Sequence, residues 1–110
     1  MGFFGNMLNA ASNKLEQARQ EEQDAMFEAE ELPLYEICRR LNGSSITAKK
    51  NGYYKVLRRK VRDISDYEIK SLFDDFYRSK NSTACRCISS EMIDRGLMYK
   101  DENGKIHKNY

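Results

Sequence analysis

Four side chains in this chain are soft enough to ligate a transition metal: Cys38, Cys85, Cys87 and His107. Together they form a Cys₃His set, a donor set that zinc uses. Zinc knuckles, however, place two to four residues between their cysteines, and Cys85 and Cys87 have one between them. On a helix that spacing turns the two thiols about 200° apart. The spacing therefore predicts buried or partly buried free thiols rather than a metal site. Nucleophilic catalysis is equally poorly served. It needs a base beside the nucleophile, and a single histidine near the C-terminus accompanies no nucleophile elbow. Asp74 and Asp75 are adjacent and diverge by about 100° on a helix, so they do not converge on a substrate. A glycine-rich phosphate loop is missing. Carboxylates alone can do acid–base work, but no pattern here singles them out. The expectation is a non-enzymatic protein without a cofactor.

The residues with the clearest pattern are the charged ones. The net charge of +2 over 110 residues conceals a strong asymmetry. Residues 1–36 hold eight acids against Lys14 and Arg19, for −6. Residues 37–62 hold nine bases and no acid, for +9, while residues 63–110 come to −1. Such segregation marks an electrostatic surface. The nine bases are Arg39, Arg40, Lys49, Lys50, Lys55, Arg58, Arg59, Lys60 and Arg62. On a helix Lys55, Arg58, Arg59 and Arg62 fall at i, i+3, i+4 and i+7, a continuous basic stripe. Two uses compete for it: docking on a polyanion, or pairing with the acidic N-terminal segment, within the chain or between subunits.

Those charges need elements to carry them. Phe4, Leu8, Ala11, Leu15 and Ala18 recur at spacings of four and three, an a/d seam on a helix. The seam runs for about two heptads before Glu22, and the helix is expected to continue to about Glu31, where Leu32-Pro33 interrupts it. A short seam on an acidic arm calls for a partner surface, which makes it the candidate for self-association or partner binding. Phe3, Phe4, Met7 and Leu8 also form an apolar tip. Membrane-surface helices usually carry Lys or Arg on the polar face, whereas this one carries acids, so membrane docking is the least favoured use.

Pro33 suits the first turn of a second helix, with Leu34, Ile37, Cys38 and Leu41 on one face and Asn42-Gly43 as its close. Ser44 to Asn51 is expected to be a loop. Asn51-Gly52 between Ile46-Thr47-Ala48 and Tyr53-Tyr54-Lys55-Val56 is a hairpin signal. Against it, Tyr54, Leu57, Val61 and Ile64 recur helically, and a helix from about Tyr53 to Ile64 is preferred. Tyr53-Tyr54 beside Lys55 could stack on bases, although one core tyrosine and one at its edge is the commoner arrangement. Ser65-Asp66-Tyr67-Glu68 is a capping box opening a helix with Ile69, Leu72, Phe73 and Phe76 inward. Asn81 or Ser82 caps the next, with Ala84 or Cys85, Ile88 and Met92 inward and Gly96 at its end. Residues 97–108 predict a β-hairpin turning at Asn103-Gly104, with Glu102 facing Lys105.

Three helices followed by a hairpin resembles the winged helix-turn-helix order over about half the chain. By that resemblance Ser82, Thr83, Arg86, Ser89 and Ser90 would line a recognition helix, and Lys100, Lys105 and Lys108 a wing. The heaviest basic stripe, however, lies on the first of the three helices. The expected fold is mainly α: an acidic helical arm over residues 1–32 and a helical domain over 33–110 ending in a hairpin. The leading expectation is nucleic-acid binding through Arg39, Arg40, Lys49, Lys50, Lys55, Arg58, Arg59 and Arg62, with Arg86 and Lys105 adding contacts. The alternative is a protein-binding adaptor or inhibitor. An odd cysteine count and a poor signal sequence make the cytoplasm the expected compartment, and no apolar run approaches a membrane span. Asn6 stands where a myristoylation site at Gly2 would want Ser or Thr.

Overall fold

The computed structural model describes residues 2–43 and 47–110, with side chains described for 13–42 and 47–110. Five helices are followed by a two-stranded hairpin: α1 Gly2–Glu30, α2 Leu34–Gly43, α3 Thr47–Lys60, α4 Asp66–Arg78, α5 Ser82–Asp94, β1 Met98–Lys100 and β2 Ile106–Lys108. The mainly helical fold with a C-terminal hairpin is as expected. A single 3₁₀ turn, Val61–Asp63, extends α3 toward α4.

Three helix ends carry the caps that the sequence advertises. Ser65 opens α4 by accepting the Glu68 amide at 3.1 Å, which satisfies one of the orphan amides of a first turn. Asn81 does the same for α5, its Oδ1 accepting the Ala84 amide at 3.2 Å. Its Nδ2 donates to the Cys38 carbonyl at 2.7 Å, so the α4–α5 turn is pinned to α2. At the end of α5 the Leu97 amide reaches back to the Met92 carbonyl at 2.8 Å around Gly96, whose φ is +79°. That is the αL closure a glycine permits without strain.

The preferred helix after Gly52 is present, and the loop expected before it is corrected: α3 begins at Thr47 and runs straight through Asn51-Gly52. Ser44–Ile46, the rest of the expected loop, lie outside the described residues. Glycine in a helix interior costs about 1 kcal/mol relative to alanine. Here it is required, since a Cβ on Gly52 would sit 2.5 Å from the Glu22 carbonyl and 2.8 Å from the Ala25 Cβ of α1. The two helices approach closely at Ala25 and Gly52, and that approach offsets the propensity cost. The buried face of α3 is consequently Gly52, Tyr53, Val56 and Leu57, continued by Val61. Tyr53, not Tyr54, is the core tyrosine, and its hydroxyl donates to Glu28 at 3.1 Å.

One core unites all five helices and β1. Ala25 and Ala29 of α1 share it with Ile37 and Leu41 of α2, Leu57 of α3, Ile69 of α4, Ile88 of α5 and Met98 of β1. Each fully buried large aliphatic side chain contributes roughly 1.5–3 kcal/mol. The last turns of α1 share this core through Ala25 and Ala29, with Met26 packed against it. Residues 13–20, by contrast, are exposed throughout.

The hairpin pairs Met98 with Lys108 and Lys100 with Ile106. Its turn is organised by Asp101 rather than by the expected Glu102–Lys105 pair. The Asp101 carboxylate accepts the Asn103 and Lys105 amides, both at 2.9 Å, and closes on His107 Nε2 at 2.7 Å. An aspartate two residues before the turn tip satisfies the loop amides directly, which a surface ion pair cannot do.

Candidate functional site

The groups with potential for chemistry are dispersed. Cys38 and Cys87 are buried and Cys85 is partly exposed. Burial pushes the Cys38 and Cys87 thiols up to about 12, which disfavours the thiolate that metal binding and nucleophilic attack require. Among the described residues no three His, Cys, Asp or Glu side chains come together as a metal site. Asp74 pairs with Lys108 at 3.0 Å and Asp75 with Arg78 at 3.2 Å, so the two carboxylates do part company.

The basic stripe exists, and its charges are largely matched within the chain. Lys55 pairs with Glu22, Arg59 with Glu30 and Arg40 with Glu28, each across a helix interface. On the other flank, Arg58 donates to Glu91 at 2.9 Å and to Asp94 at 2.8 Å. Lys60 closes the C-terminus of α1: its Nζ donates to the carbonyls of Ala29 at 3.1 Å, Glu30 at 2.8 Å and Leu32 at 3.1 Å. A cation there satisfies orphan carbonyls and complements the helix dipole. The remaining sequence candidates scatter. Among the described residues Arg39 meets only Glu36 of its own helix, at 3.4 Å. Lys49, Arg62, Arg86 and Lys105 are exposed and Lys50 is half-buried, spread over α3, the 3₁₀ turn, α5 and the hairpin turn.

The N-terminal seam is divided. Its four–three spacing continues in register through Glu22 to Ala25 and Ala29, which pack on α3. Leu15 is 61 % exposed and Ala18 is exposed. The side chains of Phe4, Leu8 and Ala11, and those of the apolar tip Phe3 and Met7, lie outside the described residues. No helix among the described residues is long and apolar enough to cross a membrane.

Sequence reasoning missed an open groove of about 880 Å³ between α4, α5 and the hairpin. Its apolar lining comes from Phe73 and Tyr77 of α4, Cys85 of α5, and Met98 and Ile106 of the hairpin. Tyr77 is 70 % exposed and Ile106 40 %, so apolar surface stands open at the groove. Around it stand Lys80, Arg86, His107 and Lys108, and no Asp or Glu lines it. Lys80 occupies the α4–α5 turn with φ +60°, the one non-glycine residue at positive φ among those described. The Asn81 amide reaches back to the Phe76 carbonyl at 3.0 Å, so this is the same closure that Gly96 makes at the end of α5. A side chain held in that conformation costs roughly 1 kcal/mol. The sequence signal for the groove is slight: Phe73, Tyr77 and Ile106 are large and apolar, and of the three only Phe73 joins the core.

The chain matches no protein-family model, no curated protein and no solved structure.

Proposed function

We propose that this is a non-enzymatic protein-binding adaptor whose docking surface is the groove beside the hairpin. One observation carries the reading: three of the four bases of the α3 stripe, Lys55, Arg58 and Arg59, are engaged by acids of their own chain, while the groove keeps apolar surface open. Lys55, Arg58 and Arg59 each face a carboxylate. A nucleic-acid backbone would have to displace Glu22, Glu30 and Glu91 to reach them, and Arg58 is only 20 % exposed. Phosphate contacts supply most nucleic-acid affinity, so an internally neutralised stripe argues for another partner. Exposed aromatic and aliphatic residues around a concavity are the usual anchors of protein recognition.

Two measurements test this on the intact chain. Random peptides displayed on phage should yield binders that shift the amide resonances of Cys85, Met98 and Ile106. Anisotropy with generic duplex and single-stranded DNA over a salt series should show no binding with a steep salt slope. DNA binding whose affinity falls steeply with salt, lost on charge removal at Arg62, Arg86 and Lys105, would replace this reading with the nucleic-acid one.

A further inference from the structure

We infer that the groove accepts a peptide segment with apolar anchors flanked by carboxylates, and that Lys80 and Arg86 hold those carboxylates. The inference rests on the protein-docking reading above and specifies its partner.

The chemistry follows from the uneven charge of the lining. Residues 63–110 contain nine acids and eight bases, yet the charged residues at the groove are Lys80, Arg86 and Lys108, with His107 beside them. Lys108 is committed to Asp74 and His107 to Asp101. Lys80 and Arg86 have no carboxylate partner among the described residues and are both exposed. Two uncommitted cations next to apolar walls match one or two carboxylates on an apolar segment. They match a nucleic-acid backbone poorly, since two cations neutralise too few phosphates to supply the affinity that a longer basic row gives.

The backbone at Lys80 supplies an independent indication. The chain closes α5 with Gly96 and closes α4, in the same geometry, with a lysine at φ +60°. Glycine would relieve the strain at Lys80, as it does at Gly96. A strained residue that also lines the groove is the pattern of a side chain retained for what it binds.

The test uses the full chain and three short synthetic peptides that share Leu and Phe positions and differ only in carrying Glu, Gln or Lys between them. The Glu peptide is expected to bind roughly tenfold tighter than its Gln twin, the scale of a charge-assisted contact. The Lys80→Gly, Arg86→Gln protein should lose that preference and still bind the Gln peptide. Lys80→Gly alone should melt at a higher temperature than the parent, because it relieves the left-handed strain. Equal binding of the Glu and Gln peptides overturns the carboxylate assignment while leaving the groove a docking site. Peptide-induced shifts that avoid Cys85, Met98 and Ile106, or binding by none of the three peptides, overturn the groove as well. Displacement of the Glu peptide by a single-stranded oligonucleotide at lower concentration overturns both in favour of nucleic acid. A lower melting temperature for Lys80→Gly means that the lysine is kept for packing and removes the strain argument.

Discussion

Arg58 of α3 donates to Glu91 of α5 across 2.9 Å, and both side chains are largely withdrawn from solvent, at 20 % and 11 % exposure. Glu91 also accepts from Arg95 at 3.3 Å, and Arg95 continues to the Val61 carbonyl at 2.8 Å and to Asp66 at 2.9 Å. One carboxylate thus joins α3, the 3₁₀ turn, the start of α4 and α5. Glu91→Ala would remove the one buried carboxylate that the two guanidinium groups share, leaving Arg58 only the exposed Asp94 and Arg95 only the exposed Asp66 among the described carboxylates. The expected loss is about 1–2 kcal/mol in urea unfolding, because a shared, largely buried acceptor is worth more than an exposed pair. A loss within 0.5 kcal/mol, the scale of an exposed pair, would show that the network adds little.

Gly52→Ala makes the opposite use of propensity. In an exposed helix it would stabilise by about 1 kcal/mol. Here the added methyl would stand 2.5 Å from the Glu22 backbone oxygen, so α1 and α3 must move apart. A net loss of about 2 kcal/mol is expected, read as a lower denaturation midpoint. An unchanged midpoint would mean that the α1–α3 crossing yields freely.

The cysteines should label in a fixed order. Cys85 is partly exposed at the groove, whereas Cys38 and Cys87 are buried and pushed up to about 12. Iodoacetamide at mildly alkaline pH is expected to modify Cys85 first and the other two only on unfolding, as followed by intact mass. Rapid labelling of Cys38 in the native protein would contradict the packing of α2 on α5.

The hairpin turn should be sensitive to acid. Hydrogen bonds from His107 and from the Lys105 and Asn103 amides hold the Asp101 carboxyl below the usual aspartate range. A depressed carboxylate contributes to stability above its unfolded pKa, and that contribution is lost as pH falls through the lower folded value. The amide signals of Asn103 and Lys105 should therefore persist through the ordinary carboxylate range and shift only at lower pH. Asp101→Asn should abolish that late step. An Asp101 that titrates with the solvent-exposed carboxylates would remove the turn from this account.

Much of the architecture was legible before any coordinates, because it depends on neighbours in sequence. The Ser65 and Asn81 caps, the Gly96 closure and the apolar periodicities of α2, α4 and α5 are all decided within a few residues. Local signals failed at Asn51-Gly52. A turn dipeptide competed there with a helix, and the contact that settles it comes from Ala25, far away in sequence.

Charge shows the same division. The sequence by itself determined that an acidic segment precedes a basic one, and that Lys55, Arg58, Arg59 and Arg62 share a helical stripe. Only the tertiary structure decided that Glu22 and Glu30 on one side, and Glu91 on the other, meet that stripe. A charge pattern states which partners would suit a surface, but the path of the chain determines whether one of them is already there. The groove belongs to the same category. Phe73, Tyr77 and Ile106 are ordinary apolar residues one at a time, and they line one groove only because the fold brings α4, α5 and the hairpin together, a relation between residues distant in sequence.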